Sequence, residues 1–258
     1  MGFTSNQDAV HNPAKLYLRW KGGAEKIREN GEEKIEGGKL LYWDKEKQEE
    51  VIVPMPLVFC PLEITYSYSG FLPDKGRIWS NEILDFKSQV INVRITGEDT
   101  DTICSGTYEE IKDKAYASGA RLQTNVYAYC KQLGGIVRFN LGGSARSAWK
   151  EFTKKVKLSS IYEAPIQIEV DEPKESKLGP YVPPKFTLGT KYADDVVKAL
   201  REQDAICIDY LKFLSERNSQ YDQETNNIYP EDVSQEVPEQ VEEAMGGGEQ
   251  IDLSEIPF

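Results

Sequence analysis

Residues 121–131, RLQTNVYAYCK, alternate as a β-strand does. Successive side chains of a strand point to opposite faces. One face then carries Arg121, Gln123, Asn125, Tyr127, Tyr129 and Lys131, and the other Leu122, Thr124, Val126, Ala128 and Cys130. The second set is small and mostly apolar, as a core requires. The first mixes cations, amides and aromatic rings. KLYLRWK (15–21) has the same layout, with Leu16, Leu18 and Trp20 on one side and Lys15, Tyr17, Arg19 and Lys21 on the other. Two such segments predict a chain built mainly of strands, with one side of a sheet available for binding.

Other stretches extend the series. KLLYWD (39–44), LEITYSYS (62–69), EILDF (82–86), QVINVRIT (89–96) and GIVRFNL (135–141) read as strands. EVIVPMPLVF (50–59) reads as a bent or edge strand, because Pro54 and Pro56 cannot donate to a ladder. Residues 22–38, bracketed by glycine pairs, read as a charged loop. Thr107 and Glu110 have capping-box spacing and Gly119 is a stop, so a helix is predicted between them. A second helix is predicted over 144–157 and a third over 191–216, within a segment 191–217. Residues 171–190 read as a proline-rich linker. The predicted class is mainly β with helices (α+β). A strand-rich body over 12–170 suggests an OB-fold-like small β-barrel, closed or half-open, and a β-sandwich fits the strand count nearly as well.

Charge is segregated along the chain. Of a net charge of −12, eleven acids lie within 221–258, which has no Lys or Arg. Residues 1–220 are therefore near neutral, with 31 basic and 32 acidic side chains. The acidic segment is rich in Glu, Gln, Pro and Gly and cannot bury enough apolar surface to offset its ordering entropy. Disorder is predicted from 218 to 258. Yet this segment finishes on Ile256, Pro257 and Phe258, which a purely solvating tail does not need.

A face of cations and flat rings is what single-stranded nucleic acid requires. Cations track phosphates, and each stacked base contributes roughly 1–3 kcal/mol with little sequence preference. The candidate contacts are Lys15, Tyr17, Arg19, Lys21, Trp43, Arg94, Arg121, Tyr127, Tyr129, Lys131 and Arg138. Tyrosine also suits cross-strand packing, and it is the combination over two strands that favours binding. Trp20 and Trp149 are assigned to the core.

Signatures of catalysis are weak. No P-loop, dinucleotide fingerprint or nucleophile elbow is present. The single histidine, His11, does not support most hydrolase schemes. Four isolated cysteines, Cys60, Cys104, Cys130 and Cys207, lack zinc-ligand spacing, and a disulfide framework is not expected. LGGSARS (141–147) sets a serine at a helix start, where capping is its first role and phosphate binding a second. The expectation is a non-enzymatic protein with no cofactor and no metal. The N-terminal residues lack a signal-peptide layout and no apolar run reaches the roughly 18 residues of a membrane span. A cytoplasmic protein is expected, in a bacterial cell or a phage-infected host.

The last residues resemble the C-terminal tip of bacterial and bacteriophage single-stranded DNA-binding proteins. The matching residues are Asp252, Glu255, Ile256, Pro257 and Phe258, after the linker-like AMGGGEQ (244–250). Leu253 and Ser254 dilute the acidic cluster that usually abuts the tripeptide. The resemblance implies an OB-fold body, a flexible linker, and a tip that docks replication, recombination and repair proteins. It also implies that Phe258 enters an apolar pocket rimmed by basic residues of the partner. The layout of the body is closer to a phage-encoded version. The rival expectations are a protein-interaction adaptor that binds no DNA and a metal-dependent DNA-processing enzyme.

Overall fold

The computed structural model describes residues 10–29, 32–73, 75–96, 101–177 and 179–224. The partner-docking residues Asp252, Glu255, Ile256, Pro257 and Phe258 lie outside this set. The described residues form a mixed α+β protein, mostly strands with three α-helices.

In chain order the elements begin with β1 (Leu16–Glu29) and β2 (Glu32–Asp44). These form one long antiparallel pair, so much of the segment expected as a loop, 22–38, is strand. Its glycine pairs mark a bulge between Lys21 and Ala24 instead of loop boundaries. At Gly38 φ is +74°, and a Cβ there would lie 2.6 Å from Val182 Cγ1, so glycine lets the two segments meet. The proline-containing stretch splits into β3 (Glu49–Ile52) and the start of β4 (Leu57–Leu72). Next come β5 (Gly76–Ser80), β6 (Ile91–Thr96) and β7 (Asp101–Gly106). EILDF is not a strand: only Ile83 bridges to Tyr66.

Helix α1 (Tyr108–Ala117) starts at the expected capping box. The Glu110 carboxylate accepts from the Thr107 backbone N–H at 2.7 Å and from its hydroxyl at 2.9 Å. The hairpin of β8 (Arg121–Cys130) and β9 (Gly135–Leu141) leads to α2 (Gly143–Lys155). The stretch read as a linker instead carries paired strands. After β10 (Ile166–Val170) come β11 (Lys174–Ser176), β12 (Gly179–Tyr181) and β13 (Pro184–Leu188). Pro184 opens β13, where no donor is lost from the middle of a ladder, whereas Pro180 sits within the three-residue β12 opposite Glu175. Finally α3 (Asp194–Glu224) extends beyond the expected helix. The predicted disorder at 218–224 is therefore corrected to helix, and 225–258 lie outside the described residues.

The strands pair in the order β11-β12-β1-β9-β8-β4-β5-β6-β7, with β2–β3 branching from β1 and β10–β13 from β4. These pairings leave the sheet open; they do not close it into the small barrel expected from the strand pattern. β1 and β9 run parallel, and the other pairs are antiparallel.

The apolar side of the alternation packs as predicted. Leu18, Val126, Ala128 and Phe139 bury against Trp149 and Phe152 of α2, with Phe59 and Phe139 ring centroids 4.4 Å apart. Farther along the sheet, Ile78, Val93 and Leu122 pack against Ile111 and Ala115 of α1. The opposite side is not left bare. Val196, Leu200, Cys207, Tyr210 and Leu211 of α3 pack on Cys60, Leu62, Tyr127 and Ile136. Each large apolar group so buried contributes about 1.5–3 kcal/mol, which makes α3 an integral layer.

Candidate nucleic-acid interface

The polar faces of the strands fall into register across the sheet. Tyr17, Arg138, Tyr127 and Glu63 form one row over β1, β9, β8 and β4. Arg19, Asn140, Asn125 and Thr65 form the next. Arg121, Ser69, Trp79 and Arg94 form another over β8, β4, β5 and β6. The alternation thus places most of the candidate contacts on one side of one sheet.

Their accessibility divides them into three groups. At the β1–β2 side, Lys15, Arg19 and Lys21 are exposed, Tyr17 is 37% exposed and Trp43 is 52% exposed. Leu41 pairs with Arg19, and Trp43 lies two residues beyond Leu41, so its ring shares the face of Arg19. Arg19 forms an ion pair with Glu50 of β3, which fixes its guanidinium beside Trp43. Such an exposed pair is worth little in stability and serves mainly to orient the cation.

At the β4–β6 side, Arg121 is exposed, with its guanidinium carbon 4.0 Å from the Tyr116 ring centroid. The Arg94 guanidinium carbon lies 5.8 Å from the Trp79 centroid. Trp79 Nε1 donates to Thr96 Oγ1 at 2.7 Å, which holds the indole in place. Phe71, paired with Arg77, is 70% exposed. Arg77 and Trp79 fall outside the expected contacts because GRIWS (76–80) does not read as a strand from its sequence, and Phe71 because β4 runs past the expected strand end at Ser69. The usable signal in GRIWS was its own alternation, with Arg77 and Trp79 on one side of Ile78.

The middle of the face is covered. Tyr127 is fully buried beneath α3 and Tyr129 is partly buried against the same cluster, so neither ring has the open face that stacking needs. This corrects the assignment of both as base contacts. Arg138 is nearly enclosed as well. Its Nη1 lies 2.6 Å from Glu82 Oε1, and its guanidinium carbon sits 5.2 Å from the Tyr17 ring and 5.7 Å from that of Tyr127. Burial opposes the Arg138 charge, but the Glu82 carboxylate together with the Tyr127, Tyr17 and Tyr210 phenols outweighs it and raises the guanidinium above its ordinary range. Burial likewise keeps the Tyr127 phenol neutral, and Glu82 reinforces this. Lys131 is exposed in the short turn joining β8 to β9, away from the rows.

The four cysteines are free and buried, and His11 is exposed. Among the described residues no group of three His, Cys, Asp or Glu side chains could hold a metal, and no helix is long and apolar enough to cross a membrane. The arrangement can offer rings and cations, alternating, on both sides of a helix-covered centre. No family model, curated protein or solved structure matches this chain.

Proposed function

We propose that this chain is a sequence-tolerant single-stranded DNA-binding protein that coats exposed DNA in replication, recombination or repair. The observation that carries the reading is the shared sheet face on which rings and cations alternate: exposed Tyr17, Arg19, Lys21 and Trp43 on one side, and exposed Phe71 and Arg121 with half-buried Trp79 and Arg94 on the other. Rings stack on bases whatever their identity, and cations neutralise the backbone. In this reading the sheet does the work of an OB-type surface, and the protein has a DNA-coating role and no catalytic one. Residues 252–258 recruit replication, recombination or repair proteins, with Phe258 as the apolar anchor and Asp252 and Glu255 steering it. The resemblance of those residues to phage and bacterial tips supports a phage-encoded, cytoplasmic protein. The acidic segment competes with DNA for the same cations when DNA is absent.

Fluorescence titration with an oligo-dT strand and with a duplex of equal length tests this. The single strand is expected to quench tryptophan emission, with log affinity falling linearly in log salt. Trp43→Ala is expected to weaken oligo-dT binding about tenfold, whereas Tyr127→Phe, on a buried ring, leaves it unchanged. Equal or tighter binding to the duplex overturns the stacking mechanism. Failure to bind either leaves the protein-interaction adaptor.

A further inference from the structure

A cleft of about 760 Å³ opens beside the sheet, between the start of α2 and the β12–β13 segment. Its volume lies within the roughly 300–1,000 Å³ typical of ligand sites. It exists because glycine stands where β1 passes α2: a Cβ on Gly22 would meet Ser144 Oγ at 2.6 Å. Two half-buried rings, Trp20 and Tyr181, line it, over a floor of buried Phe152 and Phe186. Trp20 Nε1 donates to the Val182 carbonyl at 2.9 Å, which locks the indole against the wall. Lys155, Lys174 and Lys185 stand exposed around it. Lys174 is matched by Asp171 at 3.2 Å and Lys185 by Glu169 at 3.0 Å. Lys155 makes no ion pair among the described residues.

The cleft lies on the α2 side of β1, the side of Trp20, across the strand from Lys21. Gly142, which also lines it, lies against the Gln123 side chain of β8. A chain leaving the polar face beside Gln123 and Gly142 would pass to the α2 side to enter it. What it meets there repeats the chemistry of the face, with rings for a base and an unpaired ammonium for a phosphate.

We propose that this cleft is a second nucleotide site, which takes a base and phosphodiester of a strand leaving the sheet. The inference rests on the single-stranded DNA reading, and the experiment separates the two. Ser147 is exposed on α2 and lines the cleft, so Ser147→Trp fills it from the surface; Lys155→Gln removes the cation without adding bulk. Oligo-dT strands of increasing length are titrated at several salt concentrations against the intact protein and each variant. The intact protein is expected to show a length beyond which affinity rises about tenfold and the salt slope steepens by roughly 0.7 per added phosphate contact. Both variants are expected to keep the short-strand affinity and lose that gain. Variants that match the intact protein at every length overturn the cleft site and leave the sheet reading standing. No binding at any length overturns both. Thymidine monophosphate binding that Ser147→Trp abolishes, with no gain from strand length, overturns the strand path and assigns the cleft to a free nucleotide.

Discussion

Glu82 holds three groups of the sheet face at once. It accepts from Thr65 Oγ1 at 2.5 Å, lies 3.3 Å from the Tyr127 hydroxyl, and pairs with Arg138 at 2.6 Å. Both members of the ion pair are largely enclosed, at 15% and 12% side-chain exposure. Breaking such a pair leaves a buried charge without a counterion, which costs about 3–5 kcal/mol, whereas replacing both members by apolar groups is often neutral. Glu82→Ala is therefore expected to lower stability by about 3 kcal/mol, while Glu82→Leu with Arg138→Met loses much less. Urea denaturation of the two variants checks this, and equal losses would show that the pairing is not what matters at this position.

At the scale of elements, α3 meets the sheet through an apolar seam that also holds two carboxyls, Glu63 on β4 and Asp204 on α3. Burial raises the Glu63 carboxyl, and the Asp204 carboxylate raises it further; burial also raises Asp204. Burial holds neighbouring Tyr162 and Cys207 neutral, Cys207 at about 12. An acid with a folded-state value above its unfolded one favours the protonated folded form. Its stabilising contribution is complete below the unfolded value and is lost as pH rises through the raised one. Docking of α3 is thus expected to weaken as pH rises through the raised values of these two carboxyls, above the ordinary carboxylate range. Amide exchange of α3, corrected for intrinsic rate, reads this directly. Asp204→Asn is expected to flatten the profile and protect α3 more at neutral pH; an unchanged profile would remove the carboxyl pair as the cause.

For the molecule as a whole, the near-neutral body and the acidic 221–258 segment act on the same ligand in opposite senses. A polyanion tethered to a cationic face competes at an effective concentration set by its linker, and salt screens it. Deleting residues 249–258 is expected to leave oligo-dT affinity unchanged or raise it, most clearly at low salt, and to abolish partner capture. Titration of the shortened chain beside the full one decides this, and weaker DNA binding after deletion would count against competition by the acidic segment.

Local patterns determined much of this protein. Period-two alternation marks strands at 15–21, 39–44, 62–69, 121–131 and 135–141, and at 15–21 and 121–131 it also gives the core side, because pleating is a property of the strand itself. The capping box at Thr107 and the apolar positions of α2 were legible for the same reason. Where alternation was short, as in GRIWS, or interrupted by glycine and proline, as at 22–38 and 174–188, strands were missed. Those segments are strands because of what they pair with: Gly23 meets Tyr181, and Val170 meets Pro184. Only the tertiary structure decided which part of the polar face stays open. Tyr17 and Tyr127 are the same residue type in one row of the same pattern, yet one is exposed and the other sealed under Tyr210 and Leu211. The covering helix comes from a distant part of the chain, and no local period records which face a later element will bury.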